Sequence, residues 1–126
     1  MLTVDKYAQT PIYEQIIDGL EREVLLGLLR EGEAIPSVRE LSVSLGINPN
    51  TIQKAYIELE RRGVTVALSG RGSFVREGAL DSIRLRTKRK LDEVYELARE
   101  LKLAGVASRE LYEMIDRAYS TEEVDV

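Results

Sequence analysis

Residues 37–63 hold two helix-start signals separated by a very short turn, and that spacing constrains the fold more than any other feature of the chain. Ser37-Val38-Arg39-Glu40 is a capping box, with Ser at N-cap and Glu at N3. The helix that it opens turns Val38, Leu41 and Leu45 inward and closes at Gly46. Asn48-Pro49 opens a second helix, with Pro at N1, where its missing N–H costs nothing. This helix carries Ile52, Ala55, Tyr56 and Leu59 on one face and ends at Gly63. Two helices on either side of Gly46-Ile47-Asn48 predict a helix-turn-helix. Two β-prone runs, Val64 to Leu68 and Ser73 to Val75, then flank Ser69-Gly70-Arg71-Gly72 and predict a hairpin. The expected fold class is mainly α with a small β-hairpin wing. Ala34-Ile35 is extended, because the residue before Pro36 avoids the helical region, and is expected to add a third strand.

Upstream, Thr10-Pro11 predicts an N-cap and N1 pair. Ile12, Ile16, Leu20 and Val24 form one stripe of a helix over residues 11–26, ended by Gly27. Gly19 is a mild cost inside that helix, or a point of close backbone approach. Arg30-Glu31-Gly32-Glu33 reads as a turn. Beyond Gly78 the character changes. Asp81 is expected to cap one helix running to Leu103, Gly105 to break it, and Ser108 to cap a last helix. Thr121 to Val126 is expected to fray. The expected domains are thus 1–77, a winged helix-turn-helix, and 78–126, a two-helix tail. Two helices cannot enclose a core of their own. The tail stripe of Ile83, Leu91, Val94, Tyr95, Ala98, Leu101, Leu111, Ile115 and Tyr119 is expected to be a homodimer interface, with an intramolecular lid as the alternative.

At 126 residues, the length suits one domain with an appendage. The chain has no Cys and no His, so disulfides, thiolate nucleophiles, the commonest general base and the commonest metal ligands are absent together. No enzyme, metal or cofactor is expected. Gly70-Arg71-Gly72 is too short for a phosphate loop. No apolar run approaches the ~20 residues of a membrane span, and Met1 to Thr10 lacks the basic start and apolar stretch of a signal peptide. A cytoplasmic chain with no membrane partner is expected. The net charge is −4. Residues 37–76 nevertheless hold six basic side chains (Arg39, Lys54, Arg61, Arg62, Arg71, Arg76) against three acids, a local +3 beside −7 elsewhere. Charges farther apart than ~8 Å are largely screened, so a polyanion meets the local balance.

Several blocks together resemble the GntR family of bacterial transcriptional regulators. They are Pro11 to Ile16, Ile35 to Leu41, Leu45 to Tyr56, Leu59 to Gly63 and Gly70 to Val75. The short tail and Asn48-Pro49-Asn50-Thr51 resemble its YtrA-like members. The resemblance implies a homodimer that binds a double-stranded DNA operator, most often as a repressor. Many family members carry Arg where this chain has Pro49 and Gln53, so two cationic contacts are absent here. Arg30-Glu31-Gly32 stands where Pro-Pro-Gly is common, which is expected to affect turn rigidity alone.

A recognition helix presents its N-terminal residues to base edges in the major groove. Here these are Asn48, Asn50, Thr51, Gln53 and Lys54, with Asn48 also suited to capping and Lys54 to phosphate. The resemblance assigns the equivalent of Arg39 to a guanine, and Arg pairs bidentately with that base; an ion pair with Glu40 is the structural alternative. The Ser37 hydroxyl suits a phosphate. Arg71, between Gly70 and Gly72, suits the minor groove or a phosphate. Arg84, Arg86, Lys88, Arg89 and Lys90 are either further phosphate contacts or a solvated face. The rival function is a winged helix that docks another protein; such a face would show aromatic or apolar anchors in place of these polar residues. An effector would have to sit between the tail helices or at the dimer interface, and the sequence names none.

Overall fold

The computed structural model describes residues 2–122. The elements are α1 Ile12–Leu25, α2 Val38–Leu45, α3 Pro49–Arg61, β1 Thr65–Leu68, β2 Gly72–Val75, α4 Ala79–Lys88, α5 Lys90–Leu103 and α6 Ser108–Ser120. The chain divides into two units between Leu85 and Arg86, inside α4 and not at the expected boundary after residue 77. Ala79 and Ile83 explain the shift. Both are wholly buried in the core of the first unit, so α4 begins as part of the winged helix. Ile83 is therefore a core residue, and its expected place on a dimerisation face is corrected.

One core holds the first unit together. Ile16, Ile17, Leu20 and Val24 of α1 meet Ile52, Ala55, Tyr56 and Leu59 of α3, with Leu41 of α2, Val64 and Val75 closing the rest. The stripes are those that the four-residue spacing predicts. α2 starts as expected: Ser37 Oγ accepts from Glu40 N at 3.0 Å, and the Glu40 carboxylate accepts from Ser37 N at 3.1 Å. The helix-turn-helix turn needs a left-handed residue, and Gly46 supplies it at φ 67°. The Ser42 hydroxyl donates to the Ile47 carbonyl at 2.5 Å across that turn. The hairpin pairs Thr65 with Val75 through Leu68 with Gly72. The expected third strand reduces to a single bridge between Ala34 and Phe74, with Ile35 N donating to Ser73 O at 3.0 Å.

Four local expectations change. Pro11, not Thr10, stands at the N-cap of α1 with no side-chain cap bond, and the Gln15 side chain donates to the Thr10 and Asp5 carbonyls. Asp81 lies within the first turn of α4 and does not precede it. Ser108 is the first residue of α6, whose N-cap is Ala107 with no side-chain bond. The single long tail helix is broken at Arg89, where Arg89 N bonds Arg86 O and Asp92 N bonds Arg89 O, each three residues back. Within the second unit, neither α5 nor α6 has a buried residue. The expected fraying from residue 123 onward lies outside the described residues.

Glu58 joins the core helices electrostatically. It accepts from Arg61 (2.6 and 2.7 Å) and from Arg62 Nε (2.7 Å), while Arg62 also reaches the buried Glu21 of α1 at 3.4 Å. Donation by Arg61 first and Arg62 second holds the Glu58 carboxyl down at about 2. Its contribution to stability is therefore complete above the ordinary carboxylate range near 4.5 and is lost as pH falls toward 2. In thermal melts between pH 2 and 6, Glu58→Gln should flatten the fall in Tm of the wild-type protein across that window.

Candidate nucleic-acid interface

One bond ties the start of α2 to the middle of α3. The Tyr56 hydroxyl, on the buried face of α3, donates to the Pro36 carbonyl at 2.6 Å, one residue before the Ser37 cap. Burial pushes this phenol upward, so it stays a donor at any ordinary pH. Arg39 lies exposed on the first turn of α2. The expected competitor for it, Glu40, turns back to Ser37, whose N–H and hydroxyl hold that carboxyl below its usual range. Arg39 has no ion pair among the described residues.

Asn48 caps α3 through Oδ1, which accepts from Asn50 N at 2.8 Å, and so commits its oxygen. Asn50 and Gln53 are exposed and Thr51 is half-buried, all off the face formed by Ile52, Ala55, Tyr56 and Leu59. Lys54 has a more particular position. Its Nζ sits 3.9 Å from the centre of the Tyr13 ring, so its charge rests on α1 as a cation–π contact. Tyr13 itself donates to Glu14 at 3.3 Å and is half-buried at the rim of the core. Phe74 is likewise half-buried, whereas Tyr56 is buried as expected. Lys54, Tyr13, Ile17, Ile57 and Arg62 line a groove of about 610 Å³ between α1 and α3. Ile57 was not singled out from the sequence, and it lies more than half exposed on the outer face of α3.

At the wing, Gly70, Arg71 and Gly72 are all exposed, with both glycines at positive φ and Arg71 N donating to Leu68 O at 2.9 Å. Arg71 is thereby held at the tip of the hairpin. Of the six basic residues counted between 37 and 76, Arg61 and Arg62 are spent on Glu58 and Glu21. The free cationic surface of this region is therefore smaller than the count implies. Glu31 was read only as part of a turn, but its carboxylate accepts from Gly78 N and ties that turn to the start of α4. Charge and turn composition gave no signal for that role.

The profile of the gntR family of bacterial regulatory proteins matches residues 12–75, and the chain belongs to that family. It is 39% identical over 119 residues to the HTH-type transcriptional repressor YtrA of Bacillus subtilis strain 168, covering 91% of this chain and 89% of that one. A solved GntR family transcriptional regulator from Listeria monocytogenes superposes on 90% of this chain and 98% of its own, with a TM-score of 0.74 at 27% identity. The crystal structure of the AraR DNA-binding domain in complex with operator ORX1 covers 57% of this chain and 86% of that one, with a TM-score of 0.51 at 26% identity. The molecule is a DNA-binding transcriptional regulator, and the protein-docking reading of the winged helix gives way to it. Among the described residues, no helix is long and apolar enough to cross a membrane.

Two substitutions separate the capping role from an outward-facing one. Asn48→Ala should lower stability by about 1 kcal/mol through loss of the α3 cap. Arg39→Ala, on an exposed side chain, should leave stability within about 0.5 kcal/mol of wild type. Urea unfolding followed by circular dichroism checks both.

Proposed function

We propose that the chain is a homodimeric cytoplasmic repressor, each protomer reading one half of a palindromic operator. The observation that carries the DNA face is the pairing of two exposed helix starts, at Arg39 and at Asn50 and Thr51, beside a wing that holds Arg71 out. In this reading Arg39, Asn50, Thr51 and Gln53 contact bases. Ser37, Asn48, Arg71 and the flanking Gly70 and Gly72 approach the backbone or the minor groove. Lys54 leaves the Tyr13 ring for a phosphate when DNA is bound. The name of the YtrA relative supports repression.

The dimer rests on the tail. Leu91, Val94, Tyr95, Leu97, Leu101, Tyr112, Met114, Ile115 and Tyr119 are all exposed, Tyr119 at 89%. Ala98 and Leu111 are half-buried and line an apolar hollow of about 460 Å³ in the crook between α5 and α6. A second copy of the tail is the occupant that most simply removes this surface from water. Such a hollow at a dimer seam is also where an effector would fit.

Selection from a pool of randomised duplexes tests the whole reading. The recovered sequences should contain inverted repeats with centres about one helical turn, ~34 Å, apart or a multiple of it. Arg39→Ala should cost about 1–3 kcal/mol per half-site and relax preference at one base pair. Light scattering should give twice the chain mass. A protein still monomeric at tens of micromolar would overturn the dimer.

A further inference from the structure

The segment before α1 is a built element that the winged-helix description leaves without a task. Leu2 packs its side chain against Gly19, where a Cβ would collide with it, and Val4 also joins the rim of the core. Gln15 then clamps the following loop three times. Its Oε1 accepts from Asp5 N at 2.7 Å, and its Nε2 donates to Asp5 O at 2.9 Å and to Thr10 O at 2.8 Å. The Asp5 carboxylate is used inside the loop, accepting from Tyr7 N at 2.9 Å, and Ala8 N closes a turn on Asp5 O at 3.3 Å. The Lys6 ammonium donates to the carbonyl of Gly46 at 3.3 Å. Gly46 lies in the helix-turn-helix turn, two residues before the Asn48 cap of α3.

The outcome is a cation and an aromatic held beside the start of the recognition helix. An ammonium has three N–H donors, and the bond to Gly46 uses one. Tyr7 is 98% exposed, so neither its ring nor its hydroxyl is covered by the fold. A core would bury such a ring, and an incidental tail would not be clamped at three points. Side chains of these two kinds are those that bind phosphate and sugar oxygens in DNA complexes, and ordered N-terminal arms extend the footprint of other helix-based readers.

We propose that residues 2–10 form a second DNA-contacting element, in which Lys6 and Tyr7 bind the phosphate backbone beside the half-site read by α3. The proposal rests on the DNA reading of the winged helix and extends it to a segment outside the matched family region, which begins at residue 12. The arm adds register and affinity and carries no base readout.

The test uses the full-length protein and the duplex recovered by selection, with affinity measured by anisotropy across a potassium chloride series. Each phosphate contact contributes roughly 0.9 to the slope of log K against log salt, so Lys6→Gln should make the slope shallower by about 1.8 for a dimer. Lys6→Arg should restore it. Tyr7→Ala should weaken binding while leaving the slope unchanged. Thermal melting of the same variants reports the loss of the Gly46 bond separately. A Lys6→Gln protein with a lower Tm and a wild-type slope would overturn the arm as a DNA contact and leave it a strap on the turn. A wild-type chain that recovers no duplex would overturn the DNA reading, and the arm with it.

Discussion

A buried tyrosine ties the start of α2 to the middle of α3. Tyr56 is buried in the core by its ring and bonded by its hydroxyl to Pro36 O at 2.6 Å. One side chain thus sets both the depth of α3 and the position from which α2 starts. Without it, the Ser37 capping box would still form, since its two bonds are local. The tie adds to the buried Leu41 and the Ser42–Ile47 bond in setting the direction of α2 relative to α3. In the proposed DNA reading, Arg39 and Asn50 act together only if their separation is constant, because base pairs are stacked at fixed intervals. A Phe at position 56 would keep the packing and lose the tie.

The same helix separates its two ends by charge. At its C-terminal end, Arg61 and Arg62 are taken up by Glu58 and the buried Glu21. At its N-terminal end stand neutral amides and a hydroxyl. The surface proposed to meet DNA is therefore polar with few free cations, on a chain whose net charge is −4. Non-specific binding draws almost wholly on phosphate contacts. A face of this kind keeps that background low and leaves discrimination to hydrogen bonds with base edges. Lys54 fits the same economy, since its charge rests on the Tyr13 ring at 3.9 Å when no phosphate is present.

Much of this was legible in the sequence because it is written in local signals. The Ser37 box, the Asn48 cap, Gly46 and the hairpin tip each act within four or five residues, and each stands where the pattern places it. What escaped was decided across longer separations. Ile83 looked like the first residue of a tail stripe, since helical spacing cannot say which body a helix packs on; its complete burial assigns it to the winged helix. Thr10 has the chemistry of a cap, but the helix begins one residue later, with Pro11 at the N-cap and no side-chain bond there. Glu31 reaches Gly78 across 47 positions, a pairing without a sequence signature. Lys54 and Tyr13 are apart by a whole helix-turn-helix in sequence and meet only because α1 lies against α3.

The tail poses a different physical problem. α5 has 14 residues, α6 has 13, and neither buries a side chain completely. Isolated helices of about 12–15 residues are marginal in water even in favourable sequences, since helical stability in proteins comes mostly from packing. Folding of the tail is therefore linked to whatever covers its apolar residues. If the cover is a second copy, formation of α5 and α6 depends on protein concentration, while the first unit, with its own closed core, does not. The boundary inside α4, between Leu85 and Arg86, would then separate two stabilities as well as two units. In the proposed dimer, binding of two half-sites would be governed by how well the tail holds two otherwise independent readers at one spacing. An effector that alters the packing around Tyr95, Ala98 and Leu111 would act on that linkage without touching the DNA face.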